Sequence, residues 1–98
     1  MGDVTSVMKF IEINSVGGKR IIAHTNGAET VDDGDTFTVT LANYGMTKIL
    51  GISGWIHTTS GSVVVSEAPT TSVTSGVLTV TVGGSTDNKE RVYEIIGI

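Results

Sequence analysis

Hydrophobic and polar positions alternate with period two over short segments, and Gly and Asn/Asp clusters separate those segments at strand-like intervals. The clearest case is Thr36-Phe37-Thr38-Val39-Thr40-Leu41, with Phe37, Val39 and Leu41 on one face and three threonines on the other. Residues 77–82 repeat the pattern, with Leu78, Val80 and Val82 directed inward. Five further strands are predicted at residues 7–14, 19–25, 48–59, 62–67 and 90–98. Gly17-Gly18 supplies the positive φ that a tight hairpin turn needs between the first two. Residues 48–59 are expected to bend near Gly51 or Gly54, because glycine inside a strand often marks a bulge. Val63-Val64-Val65 reads as a strand buried on both faces, and residues 70–76, after Pro69, as a polar excursion. Residues 42–47 read as a connection carrying one helical turn. The last two strands, joined by loop 83–89, are expected to pair with each other.

Composition agrees with this reading. Val, Ile and Thr supply 38 of the 98 residues, and Ala and Leu together supply 7. Branching at Cβ suits a pleated sheet and restricts helices. No repeat of solenoid or propeller length is visible. The predicted fold is all-β: a compact antiparallel β-sandwich or partly closed barrel of about seven short strands. It forms one domain over residues 1–98, with residues 1–6 as a flexible N-terminal arm.

Charge and residue type exclude several chemistries. Net charge is −4 with only six Lys and Arg, and the longest basic run is Lys19-Arg20, which argues against nucleic-acid binding. The most apolar segment, residues 49–56, is far shorter than the ~20 residues a membrane helix needs, so a soluble chain with no membrane partner is expected. The absence of Cys removes disulfides and thiolate chemistry. Asp32-Asp33-Gly34-Asp35 is the densest group of ligand-type residues, yet it lacks the distal Glu of a calcium loop. It reads as an Asp-Gly turn with solvated carboxylates. His24 and His57 lack metal-ligand spacing, and neither Gly17-Gly18-Lys19 nor Gly83-Gly84-Ser85 matches a phosphate-binding loop. Gly51-Ile52-Ser53-Gly54 is not a nucleophile elbow. No catalytic residue, cofactor or metal is therefore assigned, and the chain is expected not to be an enzyme.

Five aromatic residues remain, of which Phe37 belongs to the core. Trp55 is out of phase with Leu50, Ile52 and Ile56, and it shares a face with Ile49 and His57. If the first set faces inward, Trp55 and His57 face away from the core; a strand buried on both faces is the alternative. Trp55, His57 and Tyr44 are the candidate interaction residues. The outward positions of the alternating strands (Thr36, Thr38, Thr40, Thr79 and Thr81) are threonines rather than charged residues, so the sheet edges need covering by other means.

Residues 20–26, Asp32-Asp33-Gly34-Asp35-Thr36-Phe37-Thr38-Val39 and Asn43-Tyr44-Gly45 resemble small structural proteins encoded beside the capsid genes of tailed bacteriophages. So do Gly54-Trp55-Ile56-His57, Pro69-Thr70-Thr71, residues 76–84 and Arg91-Val92-Tyr93. The similarity spans residues 19–98 in element order, without a diagnostic motif. It implies a compact β-domain on the virion exterior that decorates or cements the capsid by binding the assembled major capsid protein. It also implies homo-oligomers, with a trimer favoured. The alternative is a β-sandwich adhesion module that binds glycan or protein, with a small hydrolase behind it.

Overall fold

The computed structural model describes residues 2–15, 18–84 and 86–98. Eight strands form two antiparallel sheets: β1 (Met8–Ser15), β2 (Gly18–Thr25), β3 (Thr36–Thr40), β4 (Ile49–Thr59), β5 (Val63–Ser66), β6 (Thr70–Thr74), β7 (Val77–Thr81) and β8 (Arg91–Gly97). One sheet has the order β1-β2-β8-β4-β5 and the other β3-β7-β6. The sheets are not closed into a barrel, so the sandwich form of the expected fold is the one adopted. Part of the turn expected at Gly17-Gly18, and Ser85, lie outside the described residues.

The inner faces follow the alternation in the sequence. Phe37, Val39, Leu78 and Val80 of the smaller sheet meet Ile21, Ala23, Tyr93 and Ile95 of the larger, all of them buried. Phe37 joins the layers, its ring centroid 6.0 Å from Phe10 and 5.4 Å from Tyr93. On its outer face the smaller sheet sets Thr36, Thr81 and Thr70 in one cross-strand row and Thr38, Thr79 and Ser72 in the next. The connection after β3 carries the expected helical turn as a 3-10 turn, Leu41–Tyr44, closed by Gly45 at φ 70°. The segment expected as an N-terminal arm runs beside β3: Val4 N–H donates to Thr36 O (2.7 Å), and Thr36 N–H to Gly2 O (2.9 Å).

Four expectations need correction. The polar excursion is strand β6, paired along its whole length with β7; its alternation is muted because it is an edge strand exposed on both faces. The last two strands do not pair, since β7 lies between β3 and β6 while β8 lies between β2 and β4. The loop between them crosses from one sheet to the other. Val63, Val64 and Val65 are 48%, 45% and 45% exposed rather than buried on both faces. A three-stranded sheet does not roof a five-stranded one, and β5 contributes nothing to the core. Finally, Leu50 is 58% exposed, because the register against β8 shifts between Ile49 and Gly51 and turns Ile49 toward the core in its place. The bulge falls where the glycine pattern put it.

Gly54 faces Tyr93 across the sheet, and a Cβ there would meet the Glu67 carbonyl and lie 2.7 Å from the Tyr93 ring. A Cβ at Gly51 would meet nothing within 4 Å. Gly54→Ala is therefore expected to destabilise by ~1–3 kcal/mol, as overpacked cores do. Gly51→Ala should stay within about 0.5 kcal/mol, as surface substitutions do. Urea denaturation of the two variants checks both.

Candidate functional site

The molecule has two polar constellations and one broad apolar face. The first constellation centres on Arg91, which is fully buried on the inner face of β8. Its Nε donates to Glu67 Oε1 (2.6 Å), Nη1 to Val31 O (2.6 Å), and Nη2 to Thr86 O (2.6 Å) and Glu67 Oε2 (3.4 Å). Its backbone N–H donates to Thr25 Oγ1 (3.3 Å). Gly84, at φ 107°, passes where a Cβ would overlap the Glu67 carboxylate, so only glycine leaves that carboxylate room. A guanidinium with this many fixed acceptors is a structural tie. It has no donor set free for a substrate. Close by, Tyr93 is buried, and among the described residues its hydroxyl is the one buried side-chain atom without a hydrogen-bond partner. Burial pushes its pKa up, so it stays neutral.

The second constellation is the Asp32–Asp35 segment. It forms the expected turn, with Asp35 N–H donating to Asp32 O (3.1 Å) and Gly34 at φ 87°. The carboxylates are not all solvated, however. Asp35 is 7% exposed and accepts the N–H groups of Gly2 (3.0 Å) and Asp32 (2.8 Å). Asp32 Oδ1 accepts from Asn88 N–H (2.8 Å), and Asp33 N–H donates to Asp87 Oδ1 (3.2 Å). The three aspartates serve separate bonds. Among the described residues no group of three His, Asp or Glu is arranged to hold a metal ion.

The apolar face is the outer side of the five-stranded sheet. Register places Lys9, His24, Val92, Trp55 and Ser66 in one row; Ile11, Ile22, Glu94 and Ser53 in the next; and Ile13, Arg20, Ile96 and Gly51 in the third. Ile11 is 50% exposed, and Ile13 and Ile96 are exposed with it. One ion pair, Arg20 Nη1 to Glu94 Oε2 at 2.9 Å, lies among them. Trp55 and His57 are half-buried on this face, and Gly61 N–H donates to His57 Nδ1 (3.2 Å). Trp55 also lines an open cleft of about 240 Å³ with Ile52, Ser53, Gly54, Ser66, Glu67 and Ala68. Tyr44 does not join them: it sits in the 3-10 turn after β3 and packs against the core. His24 and His57 lie on β2 and β4, separated by β8, and His24 Nδ1 is 2.8 Å from Thr25 O.

The isoleucines of this face were not singled out from the sequence, although Ile11, Ile13, Ile22 and Ile96 all lie on the opposite parity from the core positions of their strands. The signal for Arg91 was also present. It shares its phase with Tyr93 and Ile95, so it enters the core and requires an acid. Comparison with protein-family models, curated proteins and solved structures finds no match to this chain.

Breaking the Arg91–Glu67 pair on one side leaves a charge buried without its partner. Glu67→Ala is expected to destabilise by about 3–5 kcal/mol, measured by urea denaturation. For Asp35, burial alone would raise the pKa, but the N–H donors of Asp32 and Gly2, aided by the Arg91 charge, outweigh it and hold the pKa below its ordinary 3.8. A carboxyl with a depressed folded pKa contributes stability above its unfolded value, and that contribution is lost as pH falls through the folded one. Melting temperature should therefore drop as pH falls below 3.8, and drop less in Asp35→Asn. Thermal melts across that range test the sign.

Proposed function

We propose that the protein is a non-enzymatic virion structural protein, a decoration module that binds the assembled major capsid protein on the capsid exterior. The observation that supports this reading is the outer face of the five-stranded sheet. Ile11, Ile13 and Ile96 stand exposed there, beside Ile22, Val92 and Trp55, on a face that also carries Lys9 and the Arg20–Glu94 ion pair. Exposed apolar side chains gathered on one sheet face in this way mark a protein contact. The geometry suits contact better than catalysis, because the buried polar groups other than the Tyr93 hydroxyl are tied into Arg91 and the Asp turn. The capsid as partner rests on the resemblance in element order described above.

The mechanism is mass action. A module that binds only the assembled lattice stabilises it over separated capsomers. Contacts made by apolar side chains are little affected by salt, unlike exposed ion pairs. A second reading, an adhesion module that binds glycan, is favoured by one feature: Trp55 stands beside the cleft with Ser53 and Ser66, an aromatic platform next to hydroxyls.

Co-sedimentation with capsids of the virus that encodes the chain tests the proposal. Binding is expected to be saturable, weakly salt-dependent and absent with isolated capsid subunits. Ile11→Lys and Ile96→Lys should abolish it while shifting the melting temperature by no more than ~2–4 °C, the equivalent of about 0.5 kcal/mol. A folded protein that fails to co-sediment at low and high salt overturns the capsid reading. Retention on a glycan array, lost in Trp55→Ala, would then establish the second.

A further inference from the structure

The two sheets have four edge strands, and the chain treats them unequally. The β1 edge carries Lys9 and Glu12. The β3 edge is covered by the N-terminal segment through Gly2, Val4 and Thr5, whose Oγ1 accepts from Thr38 N–H (3.1 Å). Charge and cover are the usual guards against edge-to-edge pairing. Among the described residues, edges β5 and β6 have neither, and no Lys, Arg, Asp, Glu or Pro occurs within either strand.

Charge is segregated in the same sense. Across residues 49–82 the only charged side chain is Glu67, and Arg91 neutralises it internally. All the remaining charges lie before or after this stretch; Lys89 and Glu90 reach the start of the β4–β5 hairpin, where Lys89 Nζ donates to Thr58 O (3.3 Å) and Ser60 Oγ to the Glu90 carboxylate, and β5 itself carries none. Two copies of a chain of net charge −4 would thus pair through strands that carry no charge of their own. The β5 edge is also self-complementary. Set antiparallel against itself, Val63-Val64-Val65-Ser66 places valine beside valine, and all three valines are exposed in the single chain.

The backbone points the right way. Glu67 N–H donates to Gly54 O (2.9 Å), and Val65 lies opposite Ile56. Alternation along an antiparallel ladder therefore aims the N–H and C=O groups of Val64 and Ser66 away from β4, toward the open edge. We propose that β5 is a self-association edge, at which two copies pair β5 with β5 about a twofold axis and continue the five-stranded sheet from one copy into the next. The pairing is isologous, so it closes at two copies. It uses a different surface from the outer face proposed for the capsid, and it does not depend on that reading.

Sedimentation equilibrium of the full chain without capsids tests it. A concentration-dependent dimer of the 10.2 kDa chain is expected. Val64→Pro removes an outward N–H while leaving the β4 ladder intact, since proline is tolerated where an edge N–H faces solvent. Val64→Lys places a charge opposite its own copy. Both variants should be monomeric up to millimolar concentration, with circular dichroism like that of the parent. The lysine variant decides the matter if the proline variant does not fold. A wild-type monomer at millimolar concentration, a trimer, or a dimer that survives in the folded variants overturns the proposal.

Discussion

The architecture depends on one buried ion pair. Four connections pass between the two sheets, and Arg91 holds three of them: Val31 in the link from β2 to β3, Glu67 in the link from β5 to β6, and Thr86 in the link from β7 to β8. The fourth, between β3 and β4, is held at the other end of the same strand, where Ile98 O accepts from Thr47 (2.7 Å) and Lys48 (3.1 Å). β8 is thus the spine of the fold, flanked by β2 and β4 and tied to the crossovers at both ends. An apolar residue in place of Arg91 would bury as well. It would leave the Thr86 carbonyl and the Glu67 carboxylate without the guanidinium and the Val31 carbonyl with Lys89 N–H alone (3.2 Å), so the link from β5 to β6 would lose this tie to the other two. Desolvation offsets much of the pair's Coulombic gain, so its main effect is on which arrangement forms.

That tie explains why the layers can be unequal. With its crossovers pinned, a three-stranded sheet covers the middle of a five-stranded one and leaves β5 outside the core. The valines of β5 are exposed for this reason, while Leu78 and Val80, of the same character, are fully buried on β7. Hydrophobicity put both segments into strands; position in the sheet order decided which became core. The two proposed contact surfaces are consequences of the same mismatch, one an edge left uncovered and the other a face with no third layer.

Period-two alternation carried the sequence reading as far as local information reaches. It located seven of the eight strands and the inward sets Phe37, Val39, Leu41 and Leu78, Val80, Val82. It passed over β6, because an edge strand exposed on both faces has no buried side to alternate against, and Val73 alone broke its run of Thr and Ser. Strand order was out of reach for a different reason. Loop length sets what can pair, and the loop after β7 is long enough either to turn back or to cross to the other sheet. The deciding contact joins Arg91 to Glu67, far from it in the chain. In the candidate site, Trp55 was legible from phase alone. Tyr44 was not, since residues in a connection have no periodic neighbours to give them a side.

Two anomalies in the sequence point to each other once the fold is known. One is an arginine in the core phase of an apolar strand; the other is a single acid in a long uncharged stretch. Each would be costly alone, because a buried charge without a partner is strongly disfavoured. Together they satisfy one another and leave residues 49–82 with no charge to present. The pair that secures the crossovers is therefore also what leaves residues 49–82 of an acidic protein without an unpaired charge. Stability and the disposition of the proposed contact edge follow from the same two residues, so variation at Glu67 acts on both at once. Variation at Val64, opposite His57 and outside both the core and the pair, bears on the edge without touching either.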